Sequence, residues 1–208
     1  MTFNNADAAF KHYMNYIPLL GIDNGNGTKA VYNELIHLQD PMANAITDPR
    51  RKWSLQYCQR EWEWYMTGSR NVREIKKYAP IWDTMHSGDN MVWSNYGFWW
   101  NMNHQLAKVT NMLKEDPATR RAVVVHYLPT IMDDFKKDTP CNLVLNFYLI
   151  GDKLHLSIMA RSIDLWFGFC NDQWIFSTLL HKIADQLKKQ IGEMHYFITN
   201  LHLYNKHL

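Results

Sequence analysis

A thiol, a guanidinium and a hydroxyl that can act together lie in the last third of the chain: Cys141 after Pro140, and Arg161-Ser162 before Ile163-Asp164. Between them Leu143, Leu145, Phe147 and Leu149 alternate with other residues, as do Leu154, Leu156 and Ile158, and Gly151-Asp152 separates the two runs. Period two on both sides of a Gly-Asp pair predicts a β-hairpin. With the turn centred there, paired residues sum to about 303, and Cys141 lies opposite Ser162 or a neighbour. The hairpin alone therefore sets a nucleophile beside a strong anion binder, at a strand end open to a ligand. A nearby cation favours the thiolate, the reactive form of cysteine.

Other residues compete for or add to this chemistry. A free cysteine is most often a small buried hydrophobe, and Cys58, on the apolar face of a helical stretch, reads that way. Cys170, in the loop after Arg161-Ser162-Ile163-Asp164, is the rival nucleophile. Arg161 and Ser162 suit a phosphate, one as a charged fork and the other as a hydroxyl donor. Arg120-Arg121 is a second cationic pair; two adjacent arginines usually mark a solvated loop, and only proximity to Cys141 makes them a phosphate site. In Arg60-Glu61-Trp62-Glu63-Trp64-Tyr65 one glutamate should face inward among aromatics, where burial raises its pKa and suits it to proton transfer. Glu63 is assigned to solvent, which leaves Glu61. His202 and Tyr204 alternate on a strand, so their polar tips share a face, either as a grip on a sugar hydroxyl or as a satisfied core pair.

The elements that must position these groups can be read from periodicity. Trp53 to Met66 is helical, with Leu55, Cys58, Trp62 and Tyr65 at spacings of three and four and Gly68 as its stop. A second helix is expected from Trp99 to Leu113, before Asp116-Pro117. Ala122 to Tyr127 is β-rich, and the hairpin follows. Phe176 to Ile191 carries one apolar stripe closed by Gly192, and His195 to Tyr204 reads as a strand. The first fifty residues are mixed: Gly21 to Gly27 is a flexible loop, and Val31 to Leu38 is a short strand or helix. The order predicts an α+β domain of antiparallel strands with long helices packed on them.

Composition narrows the classes. A chain of 208 residues is expected to be one domain, 1–208, and 47% hydrophobic with 14% aromatic residues suffices for a sizeable core. A net charge of +2, with no dense Lys/Arg block, argues against a nucleic-acid-binding face. Three cysteines at irregular spacing argue against a disulfide framework and for a reducing cytoplasm. Without a CxxC pair no metal is expected. The N-terminus lacks the regions of a signal peptide, and no apolar run approaches the ~20 residues that span a bilayer.

Taken in order, the segments resemble the thymidylate synthase family: Glu61 within Glu-x-x-Trp-Tyr, Ile81-Trp82-Asp83, Asn95-Tyr96-Gly97, Asp116-Pro117 with Thr119-Arg120-Arg121, Pro140-Cys141, Arg161-Ser162-x-Asp164, Gly168, and His202-Leu203-Tyr204. The resemblance covers residues 54 to 208. It implies a thymidylate synthase-like fold, an antiparallel or mixed sheet with packed long helices and one sheet face used for dimerisation. Within the family the likeness is greatest to phage deoxycytidylate hydroxymethylases. Synthases carry an asparagine four residues after Gly168, where it reads uracil; this chain has Asp172. Uracil offers an N3–H donor and an O4 acceptor, which an amide complements. Cytosine reverses the pattern, and a carboxyl group can complement it. A site wired for one base leaves polar groups unpaired with the other.

The resemblance further implies roles. Cys141 adds to C6 of the pyrimidine, and C5 takes up the one-carbon unit of 5,10-methylenetetrahydrofolate, the co-substrate. Water then completes a hydroxymethyl group, where a synthase would transfer hydride. Glu61 organises water and proton transfer; Tyr96 lies in the catalytic network; Asp172 and Asn171 meet the base. Arg161 and Ser162 hold the phosphate, with Arg120 and Arg121 reaching it from the other subunit of a homodimer. His202 and Tyr204 contact the sugar, and Asp164, Trp82 and Ile81 lie by the folate. No metal, membrane or nucleic acid is implied, and the expected location is the cytoplasm, that of the host if the chain is phage-encoded.

The chain also departs from the family. The N-terminal phosphate arginine has no counterpart, with asparagines in the Gly21 to Gly27 loop and Lys29 nearby. Asn142 replaces the histidine after the nucleophile. Met85 replaces a tryptophan, and Leu208 falls where relatives continue into a segment that covers the folate. The alternatives are a dUMP hydroxymethylase or thymidylate synthase, a CMP hydroxymethylase, and a nucleotide-binding homologue without turnover.

Overall fold

The computed structural model describes residues 1–86, 88–134 and 137–208. In chain order these form β1 (Thr2–Phe3), α1 (Ala6–Leu20), β2 (Ile22–Asp23), β3 (Thr28–Leu38), α2 (Leu55–Thr67), α3 (Trp82–Met85), α4 (Tyr96–Asn101) and α5 (Gln105–Glu115). They continue as β4 (Val123–Val125), β5 (Asn142–Ile150), β6 (Lys153–Ala160), β7 (Ile163–Asp164), a π-helical turn at Leu165–Phe169, α6 (Cys170–Leu187) and β8 (Gln190–Tyr204). The strands make one mixed sheet in the order β1-β3-β8-β6-β5-β4, with β2 on β3 and β7 on β8. The β3–β8, β4–β5 and β5–β6 pairs are antiparallel, whereas β8 runs parallel to β6 and β7. A parallel pair needs a crossover, and here β7, the π turn and α6 supply it. That crossover carries Asp164 and Asp172.

The hairpin forms in the expected register. Ile150 faces Lys153 and Leu145 faces Ile158, and a bulge between Asn142 and Val144 moves the pairing by one at the open end. The Arg161 N–H consequently donates to the Cys141 carbonyl at 3.0 Å, so Arg161 rather than Ser162 stands opposite the thiol residue.

The core lies on the helix-covered face of the sheet. Leu145 and Phe147 of β5, Leu154, Leu156 and Ile158 of β6, and Met194, Tyr196 and Ile198 of β8 are buried. They lie in one cluster with Phe176, Leu179, Leu180 and Ile183 of α6. On the other face Leu35, Phe197 and Met159 are 43%, 47% and 53% exposed. Leu35 pairs with Phe197 and Phe197 with Met159, so the three form one apolar row across three strands.

Three helical expectations need correction. The first fifty residues hold a full helix, α1: Asn5 Oδ1 accepts from the Ala8 N–H at 2.9 Å as its cap, and Ala6, Ala9, Phe10, Tyr13 and Ile17 are buried. The expected 99–113 helix is two helices, broken where Asn103 and His104 adopt left-handed backbone with φ 50° and 57°. The α4 piece must start early to pack on α2, since a Cβ at Gly97 would lie 1.5 Å from the Tyr65 carbonyl oxygen. Finally, α6 starts at Cys170 and ends at Leu187, with Lys188 at φ 54° rather than Gly192 as the terminator. Gly192 lies in β8 beneath the His155 ring, 2.6 Å from where a Cβ would sit. The α2 boundary was legible: Ser54 Oγ accepts from Tyr57 N–H and Gly68 turns left-handed at φ 65°. Val31 to Leu38 resolves as the strand β3.

Candidate active site

Pro140 and Thr139 lead into β5, and this approach fixes Cys141 against Arg161. Arg161 Nε donates to the Pro140 carbonyl at 3.0 Å and Nη2 to the Thr139 carbonyl at 2.8 Å, with Nη2 3.8 Å from Cys141 Sγ. The guanidinium is itself exposed and so is held by backbone on one edge with its other edge free. Among the three cysteines, Cys58 and Cys170 are buried, and only Cys141 keeps accessible surface. Cys170 Sγ lies 3.4 Å from the Leu165 carbonyl and burial pushes its thiol up to about 12, so the rival nucleophile is sealed in the core. Burial also pushes the Cys141 thiol up to about 11, opposed by Arg161 and reinforced by the charges of Asp172, Asp138 and Asp164. Without ligand the sulfur therefore carries its proton at neutral pH.

Two carboxyl groups whose charges act on each other are Glu61 and Asp172. Asp172 stands in the first turn of α6 and its Oδ2 accepts from Asn142 Nδ2 at 2.8 Å. Burial pushes this carboxyl up to about 7, helped by the charge of Asp164 and opposed by the Asn142 hydrogen bond. Glu61 is buried on α2, where Oε1 accepts from the Tyr57 hydroxyl at 2.8 Å and Oε2 has no partner. Burial and then the charge of Asp172 push Glu61 up to about 8. Both acids thus titrate near neutrality, the condition that suits a group to proton transfer.

Asn142 ties this centre together. Its Nδ2 donates to Tyr96 Oη at 2.8 Å as well as to Asp172, while its Oδ1 is buried without a partner. The Asn142 carbonyl is held by His126 Nδ1 at 2.8 Å, and His126 Nε2 accepts from the Trp100 indole at 3.1 Å. An acceptor at Nε2 places the ring proton on Nδ1, and burial pushes His126 down to about 4, so the imidazole stays neutral. Asp138 supplies a second brace: it accepts from the Trp93 and Ser94 backbone N–H groups and from the Ser94 hydroxyl, clamping the 93–94 loop onto the approach to Cys141.

The remaining expected residues separate into groups. Ser162 Oγ lies 3.4 Å from His202 Nδ1, which also meets Asn200 Oδ1 at 2.9 Å. Burial lowers the His202 pKa against the pull of Asp164, and the ring packs edge-on to the exposed Tyr204 at 5.6 Å. Asp164 accepts the Trp166 and Phe167 N–H groups at 3.0 and 3.1 Å, capping the π turn. The Trp82 indole donates to Tyr57 Oη at 2.9 Å, extending the chain of hydrogen bonds from Glu61, and Ile81 beside it is 62% exposed. Asn171 Oδ1 is taken by Arg51 Nη2 at 3.2 Å, leaving the Asn171 amide to donate elsewhere. Arg120 and Arg121 are exposed before β4. Neither is among the charges acting most strongly on Cys141, Asp172 or Glu61, where Arg161 and Arg51 are.

Sequence reasoning missed Asp138, His126, Arg51 and Tyr57, and noted Asn142 only as a departure. Tyr57 lies four residues before Glu61 on α2, a spacing that was available. No local spacing links the others to the site, because loops bring them there.

The raised pKa of Glu61 has a consequence for stability. A carboxyl that binds its proton more tightly folded than unfolded makes stability fall as pH climbs from the unfolded value of 4.5 through about 8. Glu61→Gln keeps an oxygen for Tyr57 and removes the charge. The expected result is a higher Tm than wild type at pH 9, little difference at pH 5, and turnover reduced by about 10²–10⁴. Thermal melts at both pH values with a rate assay check it; a lower Tm at pH 9 would contradict the buried-charge account.

Comparison with known proteins identifies the family. The thymidylate synthase family model matches residues 24–208. A thymidylate synthase of Francisella tularensis subsp. holarctica is 25% identical over 223 aligned positions, covering 96% of this chain and 80% of that protein. A deoxyuridylate hydroxymethyltransferase of Delftia phage PhiW-14 is 27% identical over 191 positions, 86% of this chain and 54% of the relative's length. The thermostable thymidylate synthase A of Bacillus subtilis shares the fold with a TM-score of 0.82 at 22% identity, covering 98% of this chain and 81% of that one. That family transfers one-carbon units to nucleotides from methylenetetrahydrofolate, and the chain belongs to the thymidylate synthase family.

Proposed function

We propose that this chain is a dCMP hydroxymethylase, converting dCMP, 5,10-methylenetetrahydrofolate and water into 5-hydroxymethyl-dCMP and tetrahydrofolate. The observation that carries the base assignment is Asp172, a carboxyl near its midpoint at neutral pH and hydrogen-bonded through Oδ2 to Asn142. Because the Asn142 amide donates to Oδ2, Oδ1 is the oxygen left to accept from the exocyclic amine of cytosine. The orphaned Asn142 Oδ1 is a ready acceptor for the exocyclic amine. Uracil would place its O4 acceptor against the Asp172 oxygen.

Arg161 and Ser162 hold the phosphate in this reading, and His202 and Tyr204 the sugar. Cys141 Sγ bonds to C6, which makes C5 nucleophilic; the bond to sulfur breaks again when the product forms. Bound 5,10-methylenetetrahydrofolate supplies a one-carbon unit at the oxidation level of formaldehyde. Its ring fits a partly apolar ledge with unsatisfied polar atoms: exposed Ile81, the Trp82 edge, and the partnerless Glu61 Oε2 and Trp64 Nε1. Asp164 completes that ledge. Glu61, with Tyr57 and Tyr65 around it, receives the C5 proton and orients the water that adds to the new carbon. Asn171 supports the base from the Arg51 side.

The exposed arginine pair points to a homodimer. The exposed row Leu35, Phe197 and Met159 supports face-to-face packing of two sheets, with Arg120 and Arg121 reaching the partner's phosphate site. A second reading, dUMP hydroxymethylation, is favoured by the similarity to the deoxyuridylate hydroxymethyltransferase of Delftia phage PhiW-14.

Incubating the protein with dCMP or dUMP and methylenetetrahydrofolate, then weighing the product, tests both. The expected product is dCMP heavier by CH2O, without dihydrofolate. Reaction with dUMP alone would overturn the base assignment, a gain of CH2 with dihydrofolate the reaction type, and no release of tritium from C5-labelled dCMP the catalytic reading.

A further inference from the structure

We propose that His37, Glu193 and His195 form a binding site for one divalent transition-metal ion, best suited to Zn²⁺, on the sheet face away from Cys141. Glu193 and His195 are two apart on β8, so both side chains leave the same face. His37 of β3 is the direct cross-strand partner of His195. The two rings stack with centroids 4.2 Å apart, and one ligand atom from each of the three residues lies within 4.8 Å of the others. Tetrahedral zinc bound to nitrogen and oxygen at ordinary lengths needs ligand atoms about 3.4 Å apart. A small closure of side chains achieves it.

Two further observations separate this from an ordinary polar cluster. First, both imidazoles have Nδ1 engaged by a hydroxyl, His37 by Thr2 Oγ1 at 3.3 Å and His195 by Tyr148 Oη at 3.3 Å. That arrangement orients each ring and leaves Nε2 as the ligand atom, as outer partners of metal-bound histidines do. Second, His37 Nε2 is buried and sits 2.9 Å from Glu193 Oε2 without the alignment of an N–H···O hydrogen bond. A ring nitrogen and a carboxylate that close need a positive charge between them, which a metal ion supplies as a proton would. His155 lies beside the cluster but does not join it, since its Nδ1 accepts from the Glu193 backbone N–H at 3.0 Å. Glu193 is 37% exposed in the single chain, which leaves a fourth position beside it. Imidazole and carboxylate ligands suit Zn²⁺ among the common divalent ions. The sequence shows no metal motif because the ligands come from two strands far apart in the chain.

The test uses the full chain carrying Cys141→Ser, which removes the accessible thiol, dialysed against Zn²⁺ and analysed for metal, with Co²⁺ as an optical probe. One zinc per chain is expected, with a Co²⁺ spectrum free of thiolate charge transfer and a Tm that rises with added Zn²⁺. Glu193→Gln, at a partly exposed position, should fold like the parent without metal. It should lose at least about tenfold in zinc affinity and lose the Tm response. His195→Gln should do the same. No stoichiometric uptake, or uptake unchanged in both variants, would overturn the proposal.

Discussion

Cys141→Ser is expected to lower turnover by more than about 10³-fold while leaving dCMP binding within a few-fold of wild type. The sulfur forms the only covalent bond between the protein and the ring in the proposed mechanism. A serine hydroxyl ionises far less readily and, with burial already pushing the thiol up to about 11, nothing in this site would generate an alkoxide. Binding should persist because the groups proposed to hold phosphate, sugar and base lie on other side chains. Arg161 is fixed by the Pro140 and Thr139 carbonyls whether or not the sulfur is present. Single-turnover rates and calorimetric dCMP titration of the variant decide the matter. Retained turnover would move the nucleophile elsewhere, and the two other cysteines are buried.

Asp172→Asn should change the ratio of kcat/KM for dCMP over dUMP by about 10³-fold or more in favour of dUMP, since a site built to pair one pattern of donors and acceptors rejects the other strongly. The structural reason lies in Asn142. Its Nδ2 takes one oxygen at position 172, so an asparagine there must spend its only oxygen on that bond and turn its NH2 toward the base. It then presents a donor where uracil has O4. The variant also removes the acidic charge that raises Glu61, so Glu61 should titrate lower and the acid limb of the pH profile should move down with it. An unchanged ratio of specificities would show that another group reads the base.

The family, the hairpin and the accessible thiol beside Arg161 were legible in the sequence, for related reasons. Leu143 to Ile158 has period two around a Gly-Asp turn, and strand register is set by that local pattern; the structure moved it only by the bulge at Asn142. The Cys141–Arg161 juxtaposition came directly from that register. The α2 boundaries were equally local, because Ser54 and Gly68 act within one turn of the helix ends they cap. Where the chain was misread, a tertiary contact outweighed the local pattern. The apolar stripe from Phe176 to Ile191 continues past the true end of α6, because Ile191 belongs to β8 and pairs with Leu154. The continuous 99–113 helix fails because Gly97 must press on Tyr65 while α5 turns to meet β4.

By itself the amino-acid order determined which groups exist for chemistry, their ranking along two strands and one helix, and the family. Only the folded chain decided which of them are charged and which of them meet. Those properties depend on burial and on contacts between distant segments. Asp172 rests near pH 7 because α6 and β5 exclude water around it, Asn142 bridges Tyr96 and Asp172, Arg120 and Arg121 stay outside, and three side chains on the far face converge because β3 and β8 lie side by side.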